Sequence, residues 1–202
     1  MKYYHLLWVQ LPRFRERALW AVIILLIGTI FHFMPDVEAN IFRTVNGLHV
    51  KWLDVLMLPL TYCGDGVILA IFIIALGFTV GWKQAAKAAL IVITAGIVVQ
   101  VIKYFYNVPR PTAFLEQVHT LGPIFKNKSF PSGHTAAAVA FATYIGQKIY
   151  ALKWEAWTVA VLVAVSRMYV GMHLLGDVIV GAGIGYLVAV IFLRKDYVWP
   201  QM

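Results

Sequence analysis

This chain of 202 residues is 61% hydrophobic and 13% charged, whereas a soluble domain is about 25% charged. The composition excludes a disordered chain and a disulfide scaffold, and it predicts a single membrane-embedded domain, residues 1–202, with room for about six spans of about 20 residues. The net charge of +8 comes from basic residues scattered between apolar stretches, which argues against a nucleic-acid partner and for positively biased membrane loops and an anionic ligand.

Six apolar segments are predicted to cross the membrane as helices, separated by charged turns. Pro109 and Pro111 end the third of them, within the longest polar connection, residues 107–131. The segments run from about Ala18 to Phe33, Gly66 to Gly81, Lys83 to Tyr106, Pro131 to Leu152, Trp154 to Met172 and Leu175 to Leu193. The Gly181-x3-Gly185 spacing in the last segment predicts close helix packing, more within one chain than between two copies.

Residues 35–65 separate the first two spans and carry charges among their apolar positions. Apolar residues recur there at every third or fourth position from Ile41 to Val55, which predicts an amphipathic helix. We expect this helix to lie on the membrane surface. A helix packed over the bundle remains the open alternative.

An even number of spans places both termini on the same side of the membrane. That side carries 10 of the 17 lysine and arginine residues, so the positive-inside rule places both termini in the cytoplasm. The ends of spans three and five and the starts of spans four and six then lie on the outer side. The 107–131 connection lies on that side as well.

Six ionisable side chains converge at this outer level, although a charge inside a span costs about 2.5–3.5 kcal/mol to insert. They belong to three patterns: Lys103-x6-Arg110-Pro111, Pro131-Ser132-Gly133-His134, and Ser166-Arg167-x5-His173-x3-Asp177. Taken singly, each pattern is weak. Pro-Ser-Gly-His also fits an ordinary helix start, and a His and an Asp four residues apart also fit a simple hydrogen-bonded pair.

In this order and on one side of a membrane, the three patterns resemble the signature of the type-2 phosphatidic acid phosphatase superfamily. The resemblance covers residues 103–177 directly, with no departure at any signature position, and the short chain is similar to the bacterial lipid phosphatases. It implies a six-span, all-α enzyme of the bacterial inner membrane whose site faces the periplasm. The implied substrate is a lipid phosphate or pyrophosphate: undecaprenyl pyrophosphate, phosphatidylglycerol phosphate or phosphatidic acid.

Binding a phosphate requires positive charge around its non-bridging oxygens. Lys103, Arg110 and Arg167 supply three cations, and each guanidinium group can grip two oxygens. These cations can do the work of a magnesium ion, and the acidic residues of the 35–65 segment are too dispersed to form a metal site. We therefore expect neither a metal nor another cofactor.

The Pro-Ser-Gly-His pattern adds neutral donors for the same anion. Ser132 supplies a hydroxyl group, and Gly133 leaves room for an oxyanion against the backbone. The N–H groups of Ser132, Gly133 and His134 open a helix, and a helix N-terminus favours an anion.

The two histidines and the aspartate are suited to covalent catalysis. His173 is the predicted nucleophile, because a neutral imidazole can attack phosphorus and form a phosphohistidine. Asp177 would orient His173 by holding its other ring nitrogen. His134 would be the general acid for the leaving group and then the general base for water. The resemblance implies the same roles at these positions.

Other functions remain open at this stage. A lipid A phosphatase or a lipid phosphotransferase would carry the same three patterns, and residues 35–65 and 112–130, outside the signature, are expected to decide the substrate. An anion transporter would use the three cations but would leave His134, His173 and Asp177 without a role. The sequence leaves the oligomeric state open.

Overall fold

The computed structural model describes residues 2–194, with side chains from residue 14 onwards, and this part of the chain is helical with no strands. The all-α class is therefore confirmed. The helices are α1 Lys2–His32, α2 Pro35–Asn46, α3 Lys51–Tyr62, α4 Gly66–Thr79, α5 Trp82–Phe105, α6 Gly133–Lys148, α7 Lys153–Tyr169 and α8 Leu175–Phe192. Two short 3-10 turns cover Pro111–Ala113 and Tyr150–Leu152.

Several of these helices have the length and apolar character needed to cross a membrane. Within the described residues, α5 and α8 qualify on their own, and the count rises to four if the bent pairs α1–α2 and α3–α4 each form one span. The bends are 96° and 63°. Helices α4, α6 and α7 have 14, 16 and 17 residues, which is shorter than the roughly 20 residues of a typical span.

The segment predicted as one amphipathic helix contains two helices, α2 and α3, with a break at residues 47–50. Asn46 ends α2, and its side-chain amide donates to the backbone carbonyls of His119 (2.8 Å) and Tyr169 (2.7 Å). Val50 then adopts an extended conformation before α3 begins. These bonds of Asn46 to distant backbone accompany the break, and a periodicity argument does not detect them.

Helix α2 packs onto the bundle. Its buried residues, Glu38, Phe42 and Asn46, are spaced four apart and so form one stripe. Phe42 lies in a hydrophobic cluster with Met168 of α7 and Val178 of α8. The alternative of a helix packed over the bundle therefore describes α2.

Helices α6 and α8 approach closely because α8 carries glycine where the two backbones meet. A Cβ atom on Gly181 would collide with the carbonyl oxygen of Ser132, and one on Gly185 would collide with that of Ala136. The predicted small-residue contact is thus made within one chain. It brings the start of α6 directly against the first turns of α8.

Candidate active site

Four chain segments meet at one end of the bundle, where α5 and α7 end and α6 and α8 begin. The amide of Ser132 donates to the carbonyl of Asp177 (2.9 Å), which joins the starts of α6 and α8. The ionisable residues that interact electrostatically across this end are Lys103, Arg110, His134, Arg167, His173 and Asp177. The structure therefore brings together all six charged or titratable residues of the three patterns.

His173 lies in the turn between α7 and α8 and is 2% exposed. Its Nδ1 atom is 3.3 Å from Oδ2 of Asp177. Because α8 begins only at Leu175, this pair does not rest on a regular helical turn. Instead, Asp177 reaches back over the helix start, and its Oδ2 also accepts the N–H of Leu174 (3.1 Å). Burial lowers the pKa of His173, which keeps the imidazole uncharged at neutral pH.

Ser132 is the N-cap of α6. Its Oγ accepts hydrogen bonds from the amide of Thr135 (3.5 Å) and from the Thr135 hydroxyl (2.9 Å). Its own amide donates to the carbonyl of Asp177, so this N–H already has a partner in the structure. The amides of Gly133 and His134 open the helix and have no partner one turn earlier within it. A Cβ atom on Gly133 would meet one atom within 4 Å, Cγ1 of Val99 at 3.6 Å.

Two of the predicted phosphate-binding cations hold the α5–α6 connection in place. The buried ammonium group of Lys103 donates to the carbonyls of Lys128 and Ser129. Arg110 donates from Nε to the carbonyl of Asn127 (3.0 Å) and from Nη1 to that of Met172 (3.2 Å). Both side chains therefore hold this end of the bundle together by donating to backbone carbonyl oxygens. A phosphate oxygen can take the place of these carbonyls as the hydrogen-bond acceptor.

Arg167 is the third cation and is buried near the end of α7. Its Nη1 donates to the hydroxyl of Thr61 in α3 (2.7 Å). Its Nε is buried and has no hydrogen-bond partner among the described residues. A buried guanidinium with an unsatisfied N–H is a strong donor for an anion that enters the site.

His134 is partly exposed at the edge of the site. Its Nε2 atom is 3.9 Å from Oδ2 of Asp65, which is the N-cap of α4 and accepts the N–H of Val67 (2.8 Å). Gly64 permits this approach, because a Cβ atom there would lie 2.7 Å from the carbonyl oxygen of His134. A carboxylate from outside the three patterns thus stands beside the predicted general acid.

Two further buried residues, Ser129 and Glu38, bind the start of α8 and were not predicted. The hydroxyl of Ser129 donates to Oδ2 of Asp177 (2.5 Å). Glu38 is 1% exposed, and its Oε1 accepts the amide N–H of Gly176 (2.5 Å). The available signal was a hydroxyl residue three positions before Ser132 and, for Glu38, an acid on the buried stripe of α2.

A second polar cluster braces the turn that carries His173. Asp54 of α3 accepts the hydroxyl of Tyr169 (2.6 Å), and its Oδ1 is 2.9 Å from Nε2 of His119. Gly171 follows with φ at +80°, where a Cβ atom would lie 2.6 Å from the carbonyl oxygen of His119. The 35–65 segment and the α5–α6 connection therefore fix this turn together.

An apolar groove leads to the site between α4, α5 and α6. It has a volume of about 490 Å³ and ends at Gly133 and His134. Ile74 and Ile93 line it and are 51% and 58% exposed. The groove is therefore open to the apolar surroundings of the bundle along its length and polar at its end.

Comparison with known proteins identifies the family of the chain. The family model described as the PAP2 superfamily matches residues 84–199, which is more than half of the chain. The chain belongs to the PAP2 superfamily. The match spans all eight predicted site residues and leaves out α1 to α4, so that Glu38 and Asp65 lie in the part of this PAP2 chain that the family model does not cover.

Curated relatives cover most of the chain. A lipid A 4'-phosphatase of Porphyromonas gingivalis is 29% identical over 84% of this chain and 76% of its own length. The undecaprenyl-diphosphatase BcrC of Bacillus subtilis is 33% identical over 73% of this chain and 80% of its own length.

Solved structures share the fold. The crystal structure of Aquifex aeolicus LpxE superimposes with a TM-score of 0.70 and 34% identity, covering 77% of this chain and 93% of that one. A PAP2-type phosphatidylglycerolphosphate phosphatase from Bacillus subtilis superimposes with a TM-score of 0.74 over 89% of this chain and 96% of that one. At 23% identity, the second similarity supports the fold alone.

Proposed function

We propose that this PAP2 protein is an integral membrane lipid phosphatase that hydrolyses the terminal phosphate of a lipid phosphate or pyrophosphate without a metal. One observation carries the proposal: three cations and the His173–Asp177 pair share one end of the bundle with His134, where an apolar groove ends. The cations bind the phosphate of a lipid phosphate, and the groove binds its hydrocarbon chain.

Catalysis begins when Nε2 of His173 attacks phosphorus. The lone pair on Nε2 is available because the ring is neutral and Asp177 holds the proton on Nδ1. The bond from phosphorus to the leaving oxygen breaks, and His134 donates a proton to that oxygen. The products of this step are a phosphohistidine at His173 and a lipid alcohol or lipid monophosphate.

Hydrolysis of the phosphohistidine completes the cycle. His134, now deprotonated, takes a proton from a water molecule, and the water oxygen attacks phosphorus. The bond from phosphorus to Nε2 of His173 breaks, and inorganic phosphate leaves. His134 is protonated again, ready for the next leaving group.

The phosphate oxygens are held by Lys103, Arg110 and Arg167. Arg167 offers its unsatisfied Nε directly, whereas Lys103 and Arg110 exchange backbone carbonyls for phosphate oxygens. Charge-assisted bonds to a phosphate are roughly twice as strong as neutral ones, which favours this exchange. The hydroxyl group of Ser132 and the amide N–H of Gly133, at the start of α6, are the remaining donors to the phosphate.

We propose undecaprenyl pyrophosphate as the first substrate to test, followed by phosphatidylglycerol phosphate and phosphatidic acid. Two of the curated relatives carry the name undecaprenyl-diphosphatase, from Bacillus subtilis and Sulfolobus acidocaldarius. A lipid A phosphatase is the second candidate, and it is favoured by the similarity to the Porphyromonas gingivalis lipid A 4'-phosphatase and to LpxE.

We further propose a single domain in the bacterial inner membrane with both termini in the cytoplasm. In this arrangement α1 and α4 to α8 make six crossings, α3 lies near the outer surface, and the site faces the periplasm. The excess of basic residues on the side of the termini supports this orientation. The lipid substrate would then enter the groove from the bilayer.

The proposed activity predicts phosphate release from lipid phosphates by the purified protein in detergent with EDTA present. The panel consists of undecaprenyl pyrophosphate, phosphatidylglycerol phosphate, phosphatidic acid and lipid A, and the highest kcat/KM identifies the lipid. Phosphate that appears on a second lipid rather than in solution indicates a transferase. Release that stops with EDTA and returns with magnesium contradicts the metal-free mechanism.

Filling the groove should raise KM for lipid substrates and leave short ones unaffected. Gly96 lines the groove, and a Cβ atom there meets nothing within 4 Å, so Gly96→Phe places a ring in the groove without backbone strain. We expect KM for a long-chain lipid phosphate to rise about tenfold, equivalent to about 1.4 kcal/mol of lost chain contact. The measurement compares this lipid with a soluble aryl phosphate.

Ala86→Phe is the matched control, since Ala86 is exposed on the same helix and does not line the groove. It adds the same ring and should leave both substrates unchanged. An equal loss with both substrates in Gly96→Phe, or no change in KM for the lipid, would show that the chain lies elsewhere.

A further inference from the structure

Ser129 connects three parts of the site through different atoms. It is 1% exposed and lies in the connection just before α6. Its hydroxyl donates to Oδ2 of Asp177 (2.5 Å), and its carbonyl oxygen accepts from the ammonium group of Lys103 (3.2 Å). Its amide donates to the carbonyl of Val108 (2.9 Å), which fixes the backbone at this point.

The hydroxyl of Ser129 makes the shortest hydrogen bond to the catalytic carboxylate. Oδ2 of Asp177 faces the Ser129 hydroxyl at 2.5 Å, the amide of Leu174 at 3.1 Å and Nδ1 of His173 at 3.3 Å. The Ser129 hydroxyl is itself 3.5 Å from Nδ1 of His173. The carboxylate oxygen that faces Nδ1 of His173 is thus also held by the Ser129 hydroxyl.

We infer that Ser129 is a positioning residue that fixes the carboxylate of Asp177 against Nδ1 of His173 and limits its basicity. The inference rests on the proposed function, because it assigns Ser129 a part in the same reaction. Each donor to a carboxylate oxygen withdraws negative charge from it. Without the Ser129 hydroxyl, the carboxylate would attract the imidazolium form of His173 more strongly.

The charges near the His173–Asp177 pair come from several elements. Lys103 lies on α5, Arg110 on the connection, Arg167 on α7 and Asp177 on α8. Glu38 of α2 is close enough to Asp177 for the two carboxyl groups to interact electrostatically. A change at Ser129 alters none of these charges, so any effect on titration comes from loss of the hydroxyl that faces both Asp177 and Nδ1 of His173.

The test is a pH profile of kcat and kcat/KM for Ser129→Ala, with wild type and Ser129→Thr alongside. We expect kcat to fall about tenfold with KM changed less than about twofold, because the loss affects orientation of the nucleophile and not binding. The pKa of His173 should rise, so the acidic limb of the kcat/KM profile moves to higher pH. Ser129→Thr retains the hydroxyl. It should keep the acidic limb of the kcat/KM profile at the wild-type pH and retain most of kcat.

Thr143→Ala is the matched control for the loss of a buried hydroxyl. Thr143 lies on α6 away from the site and donates to the carbonyl of Val139 (2.7 Å). It should lower the unfolding temperature slightly and leave the pH profile in place. If Ser129→Ala does not fold, Ser129→Cys, with its weaker donor, should give a smaller shift in the same direction.

The outcomes separate the two proposals. An inactive wild type on every lipid would overturn the proposed function. An active wild type with an unshifted acidic limb in Ser129→Ala would overturn the role of Ser129 alone. A lowered unfolding temperature with an unshifted limb would assign Ser129 to stability and would overturn the inference as well.

Discussion

Replacing His173 with alanine is expected to abolish phosphate release from every lipid substrate, by at least about 1,000-fold. The change removes the proposed nucleophile, and the cations that remain cannot replace it. The measurement is phosphate release by purified wild type and His173→Ala in detergent with EDTA, on the lipid that wild type hydrolyses best. Trapping with radiolabelled substrate should give a labelled wild-type protein and an unlabelled variant.

His49→Ala is a suitable control for this experiment. His49 is an exposed histidine in the break between α2 and α3, stacked on His119 with ring centroids 4.3 Å apart. Its removal should leave release close to wild type. Equal release by His173→Ala and wild type would exclude the phosphohistidine. An anion transporter would retain ion flux in His173→Ala and would show no hydrolysis in wild type.

The helical class and the approximate helix positions could be predicted because apolar runs and prolines are local features. The third and sixth predicted spans coincide with α5 and α8 to within a few residues. The prediction of one continuous helix within residues 35–65 was wrong, because the segment forms α2 and α3. The break between them is accompanied by the side chain of Asn46 binding the backbone of Tyr169, which is 123 residues away, and no local pattern records such a contact.

The charged part of the site could be predicted because charges in an apolar chain are costly and therefore few. Lys103, Arg167 and Asp177 attract attention in the sequence for this reason, and the structure brings them together. The amide of Ser132 was predicted to face an anion, and only the folded chain shows that it donates to the carbonyl of Asp177. Secondary structure alone specifies neither the partner nor the distance.

The residues that support the site were beyond the sequence argument. Ser129 is an ordinary loop serine until α8 folds against it. Glu38 is an ordinary helix acid, separated by 138 positions from the Gly176 amide that it binds. Such partners are chosen by packing of distant elements. They are nevertheless the groups that hold the segment of His173 and Asp177 in one geometry.

Replacing His134 with alanine is expected to separate the two halves of the reaction. Lipid monophosphates have poor alkoxide leaving groups, so loss of the proton donor should slow their hydrolysis by about 100-fold to 10,000-fold. A soluble aryl phosphate such as p-nitrophenyl phosphate needs little protonation, and its transfer to His173 should continue. The second step still lacks a base to activate water. His134→Ala should therefore release about one nitrophenol per protein in a burst and then stall as the phosphohistidine.

Rapid-mixing kinetics with p-nitrophenyl phosphate measure this burst, and His173→Ala should show none because it cannot form the intermediate. We propose that His134 acts on both the leaving oxygen and the water, since it is partly exposed whereas His173 is buried. A His134→Ala variant that hydrolyses lipid at the wild-type rate would remove His134 from the mechanism. An inactive variant without covalent phosphate would place the defect before the attack of His173 on phosphorus. His134 would then support phosphate binding by the three cations.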